Sequence, residues 1–258
     1  FPVAQPYGNN TFAYHGIQSM GGYSAAKLKI YQEMVDSAGL YPPRFPLNMN
    51  IINMLNAKYL VVPGRLPDEN LEIVHVDESK GLVTYLNHNH LPRAWFVDEI
   101  AVAETRQATF RILKSPTFDP KHLAVLDHEP ATQLTRSDST SIDTVKHGAH
   151  EIRIKTFSSS QSLLVLSEIY YPAGWKAYVD GDETEILRTN SILRSVVVPA
   201  GNHDVVFKFD PPLYRIGWVL SNAAWGAAAI CILVGLWQIP SVRRRLHMKY
   251  REHEVTRS

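Results

Sequence analysis

The sequence predicts an α+β protein in four sections. These are a mixed α/β segment over 1–92, an antiparallel β-sandwich over 93–210, one transmembrane helix over 213–239 and a basic tail over 240–258. Three observations predict this order. Apolar residues recur at helical spacing between strong breakers in the N-terminal segment. Short alternating runs separated by turn signals fill the sandwich region. From Ile216 to Ile239 the chain then runs 24 residues without a charged side chain.

In the N-terminal segment, Ser24 is placed to cap a helix that runs to about Ala38 and ends at Gly39, with Leu28, Tyr31 and Val35 on one face. Tyr41-Pro-Pro-Arg-Phe-Pro46 breaks it. A second helix to about Asn56 turns Ile51, Met54 and Leu55 to a core, and Lys58–Val62 reads as a strand. Leu71–Val76 and Leu82–Leu86 pair as a hairpin around Glu78-Ser-Lys-Gly81.

Within the sandwich region a single helix, Arg106–Leu113, stands among strands. Glu151-Ile-Arg-Ile-Lys155 alternates strictly, so one face meets solvent. Leu163–Leu166 is apolar on both faces and suits a central strand. Trp175, Ala177 and Val179 share one face, which is assigned to the interior, and Tyr178 takes the other. Asp180-Gly181 turns the chain and Thr184–Leu187 returns. Ser191–Val198 and Asp204–Phe209 form a last pair, leading through Pro211-Pro212 towards the membrane.

The uncharged run, as a helix, is about 36 Å long, enough for a hydrocarbon core of about 30 Å. Trp218 and Trp237 lie near its two ends, about 28 Å apart at 1.5 Å per residue, where interfacial belts fall. Gly217, Ser221, Ala224, Ala228 and Gly235 lie close to one face, with Asn222 and Gly226 beside it. Such a face suits packing against upstream transmembrane helices of the same protein as well as the lipid bilayer. The tail from Ser241 holds six Lys/Arg against two Glu. Positive charge inside places the tail in the cytoplasm and residues 1–212 outside the membrane. The chain starts at Phe1 with no basic and apolar leader. The expectation is therefore the C-terminal region of a larger multi-pass protein, or else a chain whose signal peptide has been removed.

Composition closes several classes. Without the tail's six basic and two acidic residues, the rest carries 20 basic and 23 acidic side chains. There is no basic surplus for nucleic acid. The single cysteine, Cys231, lies in the uncharged run, so no internal disulfide forms. No phosphate-cradling glycine loop or nucleophile elbow occurs. His88-Asn-His90 lacks further ligands at metal spacing. Asp127, His128 and Glu129 are adjacent, and on a strand they would point to opposite faces. No catalytic residue, cofactor or metal is assigned.

Several motifs carry a resemblance. Tyr14-His-Gly-Ile-Gln-Ser-Met-Gly-Gly-Tyr23 with Lys27, Asn53-Met-Leu-Asn-Ala-Lys-Tyr59 and Leu91-Pro-Arg-Ala-Trp95 are three of them. The fourth is Leu166-Ser-Glu-Ile-Tyr-Tyr-Pro-Ala-Gly-Trp-Lys-Ala-Tyr-Val-Asp-Gly181, continued by Asn190, Arg194 and Pro199-Ala-Gly201. Their order and spacing resemble the extracytoplasmic segment of bacterial YfhO-family membrane proteins, over roughly Tyr14 to Ile239. Ala173 is an extra residue against the family's Pro-Gly-Trp. The resemblance implies a GT-C type glycosyltransferase: many membrane helices, then an outer domain. Its activity would move sugar from a lipid-phosphate carrier onto cell-envelope polymers. The catalytic acidic residue of such enzymes sits in a first outer loop that is not in this sequence.

The candidate substrate-binding residues are Tyr170, Tyr171, Tyr178, Glu168 and Gln18. Tyrosine rings offer flat apolar faces with polar tips, which suit sugar rings. Glu168 beside Tyr170 and Tyr171 can accept from sugar hydroxyls, or can pair with Arg188 or Arg194. Trp175 belongs equally to an ordinary core. Gln18 lies in a tyrosine-rich segment with paired glycines Gly21-Gly22. Two functions stand side by side. One is an accessory domain that orients a cell-envelope glycan or lipid-linked sugar over a membrane active site. The other is a structural or partner-binding module that caps a helix bundle.

Overall fold

The computed structural model describes residues 11–21, 28–38 and 46–238. The chain divides into two compact units, residues 1–209 and 210–258.

The first unit begins with three short helices: α1 Thr11–Tyr14, α2 Lys29–Ser37 and α3 Met49–Met54. Helix α2 starts later than the sequence suggested. Leu28, in extended conformation, precedes it, and Ser24 lies outside the described residues. Of the expected inward face, Val35 is buried and Tyr31 packs on the same core, Met34 joins them, and only Leu28 is exposed. Helix α3 is capped by Asn48, whose side chain accepts from the Ile51 N–H at 3.1 Å. Ile51, Met54 and Leu55 are buried as their spacing requires.

Strands β1 Tyr59–Pro63, β2 Leu71–Asp77 and β3 Leu82–Asn87 make an antiparallel sheet in the order β1-β3-β2. The β2–β3 hairpin turns at Glu78–Gly81, where Gly81 has φ +63°. The remaining strands are β4 Ala94–Val97, β5 Glu99–Val102, β6 Leu123–Leu126, β7 Thr140–His147, β8 Glu151–Ser158, β9 Ser162–Ile169, β10 Trp175–Val179, β11 Asp182–Thr184, β12 Leu187–Thr189, β13 Leu193–Val198 and β14 Gly201–Phe209. They form two sheets, one in the order β11-β10-β14-β8-β7 and the other in the order β4-β9-β13-β12-β6-β5.

The six-stranded sheet has apolar neighbours on both faces, and the side-chain period of two decides which residue goes where. In β9, Leu163 and Val165 join a core that includes α2, α3 and the first sheet. Leu164 and Leu166 join a second core with Ile152, Ile154, Val205 and Phe207 of the five-stranded sheet. In β8 the alternation leaves Ile152 and Ile154 fully buried between solvent-facing Arg153 and Lys155.

One pair departs from antiparallel order. β5 and β6 run parallel. The helix between them, α4 Arg106–Leu113, supplies the crossover that a parallel pair requires. Thr105 caps α4, accepting from the Ala108 N–H at 3.2 Å.

The return after Asp180-Gly181 also differs from expectation. Val179 pairs with Asp182 across a two-residue turn with φ +53° and +100° at Asp180 and Gly181. Positive φ at both central residues is the twist-matched hairpin geometry. The returning segment is not one strand, however. Asp182–Thr184 stays beside β10, whereas Leu187–Thr189 pairs with β13 and β6 in the other sheet. Ile186 packs on the second core and Leu187 is buried in the first, so the chain changes sheets between them. Strands that bend from one sheet to the other make the corners of sandwiches.

The second unit contains α5, Pro212–Gln238, 27 residues with mean hydropathy 1.9 in its most apolar window. At 1.5 Å per residue it is about 40 Å long, enough to cross a bilayer. None of its residues is buried. Its exposed Ile, Leu, Val and Trp side chains form far more apolar surface than a water-solvated helix carries.

Candidate functional site

The candidate site lies at the end of β9, where Tyr170 and Tyr171 leave the sheet. The Tyr170 N–H donates to the Ile192 carbonyl at 2.6 Å and so holds the exit beside β13. The chain then turns tightly at Pro172-Ala173-Gly174. The Gly174 N–H reaches back to the Pro172 carbonyl at 2.8 Å, and Gly174 has φ +138°. The extra Ala173 is thus taken up inside a turn that Gly174 makes possible. β10 follows at once and brings Trp175 back.

This path leaves a cleft of about 230 Å3 lined by Tyr170, Tyr171, Trp175, Thr184, Ile186 and Arg194 together with the charged Lys176, Glu183 and Glu185. Lys176 is paired with Glu183 at 2.8 Å, and Glu185 meets His128 at 3.2 Å. Tyr171 is 42% exposed and offers an open ring face. Trp175 is half-buried, packing on Phe209 at 5.4 Å between ring centroids.

Arg194 is the unusual member. It points from β13 into the space between the sheets and is 3% exposed. Its guanidinium lies 4.1 Å from the Trp175 ring centroid and 5.6 Å from that of Phe207. Both contacts are attractive. Its Nη2 lies 3.6 Å from Glu168. Its Nε and Nη1 have no hydrogen-bond partner among the described residues. Burial pushes its pKa down to about 10, and the Glu168 carboxylate only partly opposes this. The group remains charged at neutral pH.

Glu168 is the hub behind the cleft. Arg93 donates to it, His147 Nε2 lies 3.0 Å from it, and Arg194 approaches from the third side. Arg93 also donates through Nη2 to Gln18 Oε1 at 2.6 Å. Gln18 and Glu168 are 150 positions apart in the chain and are joined by one guanidinium. One carboxylate shared by two guanidiniums leaves a positive surplus, which Gln18 does not neutralise.

The five candidate residues therefore separate. Tyr170 and Tyr171 line the cleft. Glu168 and Gln18 belong to the charged network beneath it. Tyr178 stands on the other face of β10, half-buried, with the Lys208 ammonium 5.5 Å from its ring centroid, and does not line the cleft. Of the two arginines considered as partners of Glu168, Arg194 pairs with it and Arg188 pairs with Asp127 at 2.9 Å. Arg93 entered the reading of the sequence only within the Leu91–Trp95 motif, with no partner assigned, and His147 had no role in it. A partner 75 positions from Arg93 leaves no local pattern.

Two other clusters take different arrangements. Asp127 and His128 lie just past the end of β6, so strand alternation does not separate them, and they bond each other at 2.8 Å. His88 pairs with Glu72 at 2.9 Å, while His90 Nδ1 meets the Asn87 carbonyl at 2.8 Å. No group of three or more metal-ligating side chains occurs among the described residues.

A family model described as "Bacterial membrane protein YfhO" matches residues 57–221, more than half of the chain. The match covers both large sheets, the cleft and the first turns of α5. No curated protein matches the chain.

Proposed function

The chain belongs to the family of the bacterial membrane protein YfhO, and from that premise we propose that residues up to about 212 are the extracytoplasmic region of a lipid-carrier-dependent glycosyltransferase. In this reading they bind and orient the acceptor on cell-envelope polymers, and the chemistry occurs elsewhere in the parent protein. Helix α5 anchors them, and the basic tail lies in the cytoplasm of a bacterial cell.

The observation that carries the reading is the cleft at Tyr170, Tyr171 and Trp175. It combines an exposed aromatic face with fixed polar groups, the composition expected of a small-molecule site. The family resemblance supports the enzymatic setting, and the charge asymmetry around α5 supports the orientation.

The test is made in cells that carry the full-length protein. Tyr171→Ala removes the open ring face at an exposed position, so folding and protein level stay normal and envelope glycosylation falls several-fold. Unchanged glycosylation at normal protein level would remove the acceptor role and leave a structural cap on the helix bundle. The small-residue face of α5, Gly217 to Gly235, supports that second reading, because it suits close helix contacts. Reporter fusions at residues 205 and 255 test topology and should report opposite sides.

A further inference from the structure

Arg194 presents a physical problem that the fold does not solve internally. A buried guanidinium normally has its donors satisfied, because leaving a charged group desolvated and unpaired costs several kcal/mol. Here the guanidinium lies against the Trp175 and Phe207 rings, and Nη2 turns to Glu168. Nε and Nη1 remain without acceptors. The residue lines the cleft whose open side carries the exposed Tyr171 ring.

The surrounding charges indicate what is missing. Glu183 is paired with Lys176, and Glu185 is hydrogen-bonded to His128. Glu168 is shared among Arg93, His147 and Arg194. Within the group of Glu168, Arg93 and Arg194, two guanidiniums face one carboxylate, so the charge there is positive. A hydroxyl group would leave that charge unbalanced. An oxyanion would balance it, and charge-assisted hydrogen bonds to a guanidinium are roughly twice as strong as neutral ones. The cleft, at about 230 Å3, falls below the roughly 300–1,000 Å3 of drug-sized sites. It suits one ring rather than an extended chain.

We propose that this cleft binds a single sugar unit bearing an oxyanion, carboxylate or phosphate, with the ring against Tyr171 and the oxyanion on the Arg194 guanidinium. The proposal rests on the reading of this unit as glycan-binding and adds the charge of the ligand and its anchor. Arg93 and Glu168 are positioning residues. Arg93 holds Glu168, and Glu168 lies against Nη2 of Arg194.

The test is calorimetric titration of the full-length protein in detergent micelles with glucuronate, glucose 1-phosphate and glucose. At least one anionic sugar should bind tenfold or more tighter than glucose. Tighter glucuronate assigns a carboxylate, and tighter glucose 1-phosphate assigns a phosphate. Arg194→Gln should bring the ratio of anionic to neutral affinity close to one. Because Arg194 is buried, the exposed Tyr171→Ala serves as the second variant. It should weaken every sugar that binds by a similar factor and keep the ratio. Glucose binding as tightly as both anionic sugars would overturn the oxyanion anchor and leave a neutral glycan cleft. Binding by none of the three sugars would overturn the anchor and the glycan cleft together. A charge preference that survives Arg194→Gln, or affinities untouched by Tyr171→Ala, would place the ligand elsewhere.

Discussion

The interior between the two large sheets and the cleft at its end are built from the same strands but obey different rules. In the interior, Ile152, Ile154, Leu164, Leu166, Val205 and Phe207 are essentially free of solvent contact, as is Ala177. Among the polar groups buried nearby, Thr189 Oγ1 meets Ser195 Oγ at 2.6 Å, and Asn190 Oδ1 accepts from the Val125 N–H at 2.8 Å, while Asn190 Nδ2 has no partner among the described residues. Next to Ser195 on β13, Arg194 is 3% exposed and carries a full charge with two nitrogens without acceptors. The interior is what stability selects. A buried charge left short of partners stabilises nothing, and its presence at the base of an aromatic cleft is best understood through what it binds.

The contrast can be broken first in the interior. Phe207→Ala should cost about 3–5 kcal/mol of unfolding free energy, because it opens a cavity where Phe207 meets both sheets. Chemical denaturation of the protein measures it. A loss below about 1 kcal/mol would mean that the sheets do not share a tight core.

The next effect lies in α5. Leu in place of both Ala224 and Ala228 should impair assembly of the parent protein, since added bulk separates helix backbones in contact. Ile232, away from that face, should tolerate replacement. Equal tolerance at the two sets, read by native gel, would indicate an isolated anchor.

Closer to the cleft, the two faces of β10 should differ. Trp175→Ala loses half-buried packing and the stack on Arg194, a cost of roughly 1–3 kcal/mol. This is less than for a fully enclosed tryptophan. Tyr178→Ala, on the opposite face, should cost under about 1 kcal/mol and leave sugar affinity unchanged. Reversal of the two costs in thermal unfolding would mean that the faces are assigned the wrong way round.

The smallest effect is in the turn beyond β10. The hydrogen bond that His203 donates to Asp180 raises the His203 pKa, and the same bond, helped by the Asp204 N–H, lowers that of Asp180. The His203 share of stability is full below its ordinary value of about 6.5 and fades as pH rises through the raised one. The Asp180 share is full above about 3.9 and fades as pH falls through the lowered one. The pair therefore contributes most between about pH 4 and 6.5. The ion pair is partly exposed, so its worth is under about 1 kcal/mol. His203→Gln should lower Tm at about pH 5.5 and leave it nearly unchanged at about pH 9, and an equal loss at both would exclude the ion pair.

Local pattern carried much of the architecture. The alternation in β8, the doubly apolar run in β9, the Asp180-Gly181 turn and the bounds of α4 all follow from side-chain period, turn chemistry and capping. Pairing direction did not, because the periodicity of β5 and β6 is the same whether they run parallel or antiparallel. The sheet change at Ile186-Leu187 was hidden too, since two adjacent apolar residues read as one strand. At the site, the tyrosines after β9 and the Glu168–Arg194 pair were legible as residue types close to one another. The Arg93 bridge to Gln18, the place of His147 and the unpartnered nitrogens of Arg194 depend on contacts between distant segments, which no local spacing encodes.

The most direct test of the central claim is Arg194→Met in the full-length protein, with thermal unfolding and envelope glycosylation measured side by side. Met fills similar apolar space, and Glu168 keeps Arg93 and His147, so Tm should be unchanged or raised. Glycosylation should fall at normal protein level. A Tm that drops as far as that of Phe207→Ala, or glycosylation that persists in a stable Arg194→Met protein, would contradict the account.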